Sequence, residues 1–159
     1  MKAARRRTMN PVVDEYGTQR WYKNDVLHRT NGPAVISADG TRRWCKDGVL
    51  HRMDAPAVIL ANGDRFWFRE GVLHRTDGAA VIYANGDQLW YKDGQIHRTD
   101  GAARIRADGD QEWYLNQRQY KFAQWIKLTP LDDDAKLLLQ IQWSDHESGN
   151  RRTRQSNLV

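Results

Sequence analysis

The chain of 159 residues has little cysteine and no long apolar run, and each lack excludes a class of protein. Its one cysteine, Cys45, cannot form an internal disulfide, so packing must stabilise the fold and a reducing compartment is allowed. No apolar segment approaches the roughly 20 residues of a membrane span, and the charged start lacks the apolar stretch of an export signal. We therefore expect one cytoplasmic domain with no membrane insertion.

The sequence also lacks the motifs on which most catalysis and metal binding depend. It has no serine or cysteine nucleophile beside a histidine, no glycine-rich phosphate loop and no cysteine cluster. Carboxylates such as Asp39, Asp64 and Asp87 lie in or beside expected hairpin turns, and this position explains their presence without a catalytic role. We expect a protein that is not an enzyme and needs no cofactor.

The net charge of +5 belongs to the two ends of the chain. Residues 1–10 carry +4 and residues 146–159 carry +2, which leaves −1 for residues 11–145. Basic tails of this kind are usually solvated, and they sometimes bind polyanions. Nucleic acid is thus an open alternative partner for the tails, although initiation at Met9 would remove the first cluster.

Aromatic and turn residues recur at a fixed spacing of 23 residues through residues 16–116. The residues that repeat are Trp21, Trp44, Trp67, Trp90 and Trp113; His28, His51, His74 and His97; and Gly17, Gly40, Gly63, Gly86 and Gly109. A fixed period of this length is typical of stacked repeat proteins, in which each copy is one supersecondary unit. We expect about 4.5 such copies.

Two turn signals in each copy indicate strands rather than helices. The third copy has Asn62-Gly63 and Glu70-Gly71, and dipeptides of this kind form tight hairpins. Three short strands follow in each copy, for example Ala57–Leu60, Arg65–Arg69 and Val72–Arg75. The expected fold class is all-β, an elongated antiparallel stack of hairpins or meanders.

Counting outward from the turns predicts which side chains share a face. If both turns are two-residue loops, Val58 lies opposite Trp67, and Trp67 lies opposite His74. Phe68 and Leu73, one step along, then pair on the other, largely apolar face.

The period and two motifs resemble a known family. The segment Asn85–His97 reads Asn-Gly-x-x-x-Trp-Tyr-x-Asp-Gly-x-x-His, and Leu73–Gly78 reads Leu-His-Arg-x-Asp-Gly. Both are similar to MORN (membrane occupation and recognition nexus) repeats and their relatives with the Leu-His-Arg signature. The resemblance implies a twisted, groove-bearing sheet that binds proteins or lipids. It also implies a bacterial, phage or large-virus origin and, for a phage protein, action on a factor in the host cytoplasm.

The repeated histidines invite a metal-binding hypothesis, which their spacing opposes. Strands lie about 4.8 Å apart, so histidines of successive copies are separated by roughly 10 Å or more. Zinc needs ligands at about 2.0–2.1 Å. We expect each ring to pack beside a tryptophan and to bond backbone or the aspartate of the linker between copies.

An arginine follows each histidine, and three of these arginines precede an aspartate by two residues. The pairs are Arg52–Asp54, Arg75–Asp77 and Arg98–Asp100, whereas Arg29 has Asn31 in that place. Charge-assisted pairing favours a structural role and leaves Arg29 as a candidate binding residue. A row of arginines that follows a phosphate backbone is the alternative.

The tryptophan row allows two interpretations. It is the core that holds the copies together, as recurring aromatics in solenoids usually are, or a platform on which single-stranded nucleic acid stacks. Lys46, Arg69 and Lys92 follow their tryptophans by two residues and are candidate binding residues on the same expected face.

The C-terminal segment is expected to cap the array, because an open stack exposes apolar edge and unpaired backbone. Residues 117–145 form this mainly helical cap in our assignment. Phe122, Trp125 and Ile126, at positions i, i+3 and i+4, predict a short amphipathic helix that covers the stack.

A second helix is predicted after Thr129-Pro130, which offers an N-cap and a first-turn proline. We expect it to reach about Gln140, although alternating apolar residues over 135–143 leave a strand open. Residues 1–15 are assigned as a basic tail and lead-in, and residues 146–159 as a basic flexible tail.

These observations favour a non-enzymatic protein-binding repeat module, an adaptor or inhibitor. Trp125 and Trp143, the two tryptophans outside the 23-residue rhythm, are candidate binding residues in the cap. Nucleic-acid binding through the tryptophan, lysine and arginine rows is one alternative. A membrane-lipid-associated scaffold of MORN type is another.

Overall fold

The computed structural model describes residues 10–156, with side chains described to Ser144. These residues form nineteen short strands and two helices. In chain order the strands are β1 (Val12–Val13), β2 (Gln19–Arg20), β3 (Tyr22–Lys23), β4 (Val26–Leu27), β5 (Val35–Ile36), β6 (Arg42–Arg43), β7 (Cys45–Lys46), β8 (Val49–Leu50), β9 (Val58–Ile59), β10 (Arg65–Phe66), β11 (Phe68–Arg69), β12 (Val72–Leu73), β13 (Val81–Ile82), β14 (Gln88–Leu89), β15 (Tyr91–Lys92), β16 (Gln95–Ile96), β17 (Arg104–Ile105), β18 (Gln111–Leu115) and β19 (Arg118–Tyr120). The helices are α1 (Phe122–Leu128) and α2 (Asp133–Ser156).

One antiparallel sheet of eleven strands runs through the whole array. Its spatial order is β1-β2-β5-β6-β9-β10-β13-β14-β17-β18-β19. The strands of this sheet therefore lie side by side in chain order, although a short hairpin intervenes in the chain between some neighbours. The remaining strands form four separate hairpins, β3-β4, β7-β8, β11-β12 and β15-β16. The expected all-β antiparallel stack is therefore confirmed.

Each of the first four copies departs from the predicted three-strand meander at its tryptophan, whereas β18 continues through Trp113 in the last copy. The predicted strand Arg65–Arg69 is divided at Trp67 into β10, in the long sheet, and β11, in a short hairpin. The Trp67 N–H donates to the carbonyl of Ala80 at 2.8 Å, and its carbonyl accepts the His74 N–H at 3.0 Å. The tryptophan thus bonds to both the long sheet and the short hairpin at the junction between them.

The first turn of each copy has three residues, not two. The Leu60 N–H donates to the Asp64 carbonyl and the Gly63 N–H to the Leu60 carbonyl, which encloses a loop of three residues. Gly63 has φ +96°, the left-handed position of a bulged three-residue loop. The extra residue shifts the register by one, so Val58 pairs with Phe66 and the prediction that it faces Trp67 was wrong.

The second turn has the predicted two residues. Glu70 and Gly71 both have positive φ, 49° and 81°, and Phe68 pairs with Leu73 as expected. The His74 N–H to Trp67 carbonyl bond places these two residues opposite each other, also as expected. The error in the predicted register is therefore confined to the first half of the copy.

Adjacent copies are joined by polar contacts at a constant position. In the first four copies, the side chain three residues before the tryptophan is the acceptor. It accepts the backbone N–H of an alanine in the first turn of the next copy, at 2.8–3.3 Å. The bonds run from Ala38 to Thr18, from Ala61 to Thr41, from Ala84 to Asp64 and from Ala107 to Asp87. Threonine hydroxyls and aspartate carboxylates both supply an oxygen there.

The array is longer at both ends than the sequence predicts. Strand β1 lies in the expected lead-in and pairs with β2, and β19 continues the sheet beyond the expected end at residue 116. The basic cluster of residues 1–9 lies outside the described residues.

The first cap helix, α1, agrees with its prediction. Trp125 is fully buried, its ring lies 4.5 Å from that of Trp113, and its Nε1–H donates to the carbonyl of Arg98 at 3.2 Å. Phe122 stacks on Trp125, and Ile126 is buried beside them. The helix thereby closes the last copy.

The second helix begins and ends later than expected. The Asp132 carboxylate accepts the Ala135 N–H at 2.8 Å and caps α2, whereas Thr129 ends α1 and donates its hydroxyl to the Thr99 carbonyl. Residues 135–143 are helical rather than a strand, and α2 continues to Ser156, so the flexible tail predicted from residue 146 was wrong over that length. No helix among the described residues is long and apolar enough to cross a membrane.

Replacing Trp125 by alanine should lower the free energy of unfolding by about 3–5 kcal/mol, because it opens a cavity at the centre of the cap. Urea unfolding followed by far-ultraviolet circular dichroism measures the loss. Lys127→Ala, on the exposed side of the same helix, is the control and should cost less than about 0.5 kcal/mol. Equal effects of the two variants would contradict the assigned core.

Candidate binding surface

The arginine of each copy covers the tryptophan ring of that copy. The guanidinium carbon lies 3.9–4.1 Å from the ring centroid in all four cases. Its Nη1 also donates to a carbonyl four residues along the chain, at 3.1–3.2 Å. The arginines are Arg29, Arg52, Arg75 and Arg98, and the rings are Trp21, Trp44, Trp67 and Trp90. This arrangement supports the core interpretation of the tryptophan row and a structural role for all four arginines, Arg29 included.

The predicted arginine–aspartate pairs form in two copies. Arg75 bonds Asp77 at 2.9 Å and Arg98 bonds Asp100 at 2.7 Å, each through Nε. Arg29, expected to be the freest, bonds the Asn31 side chain at 3.2 Å.

The second copy lacks this pair, and it also lacks the glycine of the other copies. A Cβ at Gly78 or Gly101 would lie 3.1 Å or 2.7 Å from the guanidinium carbon of the preceding arginine. The second copy has Ala55 in that place. Among the described contacts Arg52 keeps its ring and carbonyl partners and makes none with Asp54.

Each histidine bonds the backbone of the second turn of the next copy, which is the first of the two partners expected for it, and not the linker aspartate. The backbone N–H of the turn residue donates to Nδ1 at 3.0–3.2 Å. The bonds run from Asp47 to His28, from Glu70 to His51, from Asp93 to His74 and from Asn116 to His97. The carboxylates of Asp47, Glu70 and Asp93 also lie 2.9–3.0 Å from Nδ1, where they would pair with a protonated ring.

Metal ligation finds no support in this geometry. Within the described part of the chain, no three histidine, cysteine, aspartate or glutamate side chains group as metal ligands do. The histidines instead each join their copy to the second turn of the next copy.

The other candidate binding residues are separate from one another. Lys46, Arg69 and Lys92 lie exposed on the first strands of short hairpins, where Arg69 pairs with Asp93 at 2.9 Å. Arg69 is therefore already paired with a carboxylate of the next copy.

The two cap tryptophans, Trp125 and Trp143, pack against Trp113 of the last copy. Trp113 has Lys121 where the other copies have arginine, and aromatic rings surround it instead. Trp143 lies edge-on to Trp113 at 5.5 Å, and its ring is tilted by 31° against that of Phe122 at 5.2 Å. Trp125 and Trp143 thus build the cap, and Trp125 has no surface to offer a partner.

Sequence reasoning did not find one continuous surface of the long sheet. Directly paired residues share a face, and the register places nine such residues in one row. We name this row, with the side chains that contact it, the front face. The row consists of Arg20, Val35, Arg43, Val58, Phe66, Val81, Leu89, Arg104 and Glu112.

Side chains from the turns and the short hairpins widen the front face. Tyr83 contacts Phe66 edge-on at 5.9 Å, and Ser37 accepts a bond from Arg43 at 3.2 Å. Arg106 bonds Glu112 at 2.6 Å, and the Tyr114 hydroxyl donates to the same carboxylate at 2.8 Å. Apolar side chains therefore occupy the middle, and charged groups occupy the ends.

The electrostatics of the front face follow from partial burial. Burial raises the pKa of Tyr91, and the nearby Tyr83 raises it further. Arg104 acts in the opposite direction, but the net result is a raised pKa. Burial also acts to raise the pKa of Glu112, but hydrogen bonds from Arg106 and Tyr114 outweigh it and hold that pKa below its usual range. Arg104 Nε is buried without a hydrogen-bond partner. Glu112 is thus charged and already engaged at neutral pH.

The two helices do not pack against the row of the front face. They pack against the other side of the sheet, where Ile105 joins Leu139 and Trp143 in the cap cluster. Arg42 and Arg65 lie on this same other side, adjacent in sequence to Arg43 and Phe66 of the front row.

A signal for the front face exists in the sequence. Tryptophan, histidine and the alanine thirteen residues after tryptophan are the same in each full copy, whereas the residue before tryptophan changes. In order it is Arg20, Arg43, Phe66, Leu89 and Glu112. The one-residue register error hid the fact that these changing residues share a face.

No protein-family model matches the chain, and no curated protein sequence is significantly similar to it. The resemblance to MORN repeats stays a prediction based on period and motifs. The function therefore has to be argued from the surface itself.

Replacing Gly101 by alanine should lower the free energy of unfolding by about 1–3 kcal/mol, because the new Cβ would collide with Arg98. Thermal unfolding measures the loss. Ala55→Gly, at the equivalent place in the second copy, removes a Cβ instead and should change stability by less than about 1 kcal/mol. A stability loss for Gly101→Ala no larger than that of Ala55→Gly would refute the role of glycine in seating the guanidinium.

Proposed function

We propose that the chain is a non-enzymatic protein-binding repeat module, an adaptor or inhibitor, and that the front face is its binding surface. The observation that carries this proposal is the contrast between positions. Tryptophan, histidine and the buried alanine are the same in each full copy, whereas the front-face residue before tryptophan changes from copy to copy along one side of the sheet. Stacking alone gives no reason for that variation.

The chemistry of the front face suits a protein partner. Aromatic and arginine side chains are enriched at the energetic centres of protein interfaces. Tyr83 is 37% exposed above Phe66, and the valines beneath are nearly fully buried. A rigid floor with partly exposed rings provides anchors whose ordering costs little entropy on binding.

Protein binding is favoured over nucleic-acid binding by the use of the tryptophan and arginine rows. A base stacks on an open aromatic face, and here Trp21, Trp44, Trp67 and Trp90 lie beneath their own guanidinium groups. The net charge of −1 over residues 11–145 also provides no overall attraction for phosphates. No described feature favours a lipid surface.

Tyr83→Ala should weaken partner binding at least about tenfold, or 1.4 kcal/mol, because it removes the most exposed ring of the front face. The partner is first captured from a lysate on the full chain and identified by mass spectrometry, and its affinity is then measured with purified proteins. Arg65→Ala is the matched control, since it removes an exposed side chain from the other side of β10.

Unchanged affinity of Tyr83→Ala, with the fold intact by circular dichroism, would show that the binding surface lies elsewhere. A loss of the same size in Arg65→Ala would have the same meaning.

Neutralising both basic tails should change partner affinity by less than about tenfold, because a front-face interface does not need them. The variant replaces Arg5, Arg6, Arg7, Arg151, Arg152 and Arg154 by serine. Affinity is measured at low and at physiological salt. Loss of binding in this variant, together with steeply salt-dependent binding of oligonucleotides by the wild type, would favour the nucleic-acid alternative.

A further inference from the structure

We infer that the front face binds an extended segment of the partner in which two acidic residues, about seven positions apart, flank an apolar stretch. This inference rests on the proposed function and specifies the partner's chemistry. It follows from the placement of charge, the apolar middle and the spacing of the strands.

Positive charge at the two ends of the front face is only partly balanced by this chain. Arg43 bonds the neutral hydroxyl of Ser37, and no carboxylate among the described residues pairs with it. At the other end Glu112 is shared by Arg104 at 3.5 Å and Arg106 at 2.6 Å, so one carboxylate serves two guanidinium groups. Asp39 acts on Arg43, and Asp87 and Asp108 act on Arg106, only at longer range than an ion pair. Each end therefore has a guanidinium group that lacks a carboxylate of its own.

The middle of the front face excludes charge. Between Arg43 and Arg104 the row consists of Val58, Phe66, Val81 and Leu89, with Tyr83 beside it. A charged partner group placed there would lose its hydration without gaining a counter-ion. The stretch between the two acidic residues must therefore be apolar.

The register fixes the separation of the two basic ends. Arg43 lies on β6 and Arg104 on β17, which are five strand positions apart in the long sheet. At about 4.8 Å for each step the separation is about 24 Å. An extended chain advances about 3.3 Å per residue, so about seven residues span this distance.

Burial favours an extended segment over a helix. Val58 and Val81 are only 6% and 2% exposed, so the floor of the front face offers a partner little apolar area, and Tyr83, at 37%, is its most exposed ring. A helix with side chains is about 10–12 Å wide and fits a flat apolar surface or a broad groove better than a face with so little exposed apolar area. A helix would also need about sixteen residues between its acidic groups to span 24 Å.

The test uses a phage-displayed library of random 20-residue peptides, selected on the full chain, followed by affinity measurements on the selected peptides. We expect the selected peptides to share two acidic residues about six to eight positions apart with apolar residues between them. Arg43→Ala and Arg104→Ala should each weaken binding at least tenfold and lower its salt dependence. Arg42→Ala, the neighbour of Arg43 on the other face, is the matched control and should change affinity less than twofold.

Three outcomes would overturn the inference. They are selection of no peptide, selection of peptides without the acidic pair or with a helical spacing, and equal effects of Arg43→Ala and Arg42→Ala. Affinity measurements with the protein partner captured on the full chain distinguish these failures from failure of the proposed function. If partner binding depends on Tyr83 but not on Arg43, the proposed function holds and the acidic segment does not; if it depends on neither, both fail.

Discussion

The guanidinium stacked on tryptophan is the contact on which each copy depends, because it joins three segments at one place. The tryptophan backbone connects the long sheet to the short hairpin, its ring supports the arginine, and the arginine holds the linker through a carbonyl. A cation–π contact of this kind is worth about 0.5–2 kcal/mol, and it occurs in four copies. Trp67, Arg75 and the Ala79 carbonyl must keep their separations along the chain, which explains why the period tolerates no insertion.

The last copy shows what replaces this contact when the arginine is missing. Trp113 has no guanidinium over it, and Phe122, Trp125 and Trp143 enclose its ring instead. The enclosure leaves the Trp113 Nε1 buried without a hydrogen-bond partner. Aromatic burial at the end of the stack offsets that cost, since a terminal repeat without a cap would expose its apolar side to water.

The sequence predicted the period, the hairpins, the pairing of Trp67 with His74 and the first cap helix, because each depends on residues close in the chain. It did not predict the register of the first turn, since Asn-Gly can form either a two-residue or a bulged three-residue loop. Asp64 also makes a contact outside its own turn: its N–H bonds the Asn62 side chain, while its carboxylate accepts the N–H of Ala84 in the next copy. That second bond is a contact between copies, which counting outward from a turn cannot include.

A slip of one residue exchanges the two faces of a strand, so the same error concealed the candidate binding surface. The corrected register places the tryptophan–arginine contacts and the binding row at different sites of each copy. Arginine, phenylalanine, leucine and glutamate therefore replace one another before tryptophan without altering the stack. Copies lie about 10 Å apart, a distance at which substitutions usually act independently. Phe66 and Tyr83, in direct contact at 5.9 Å, are the exception: one ring supports the other, and their contributions to binding have to be measured together.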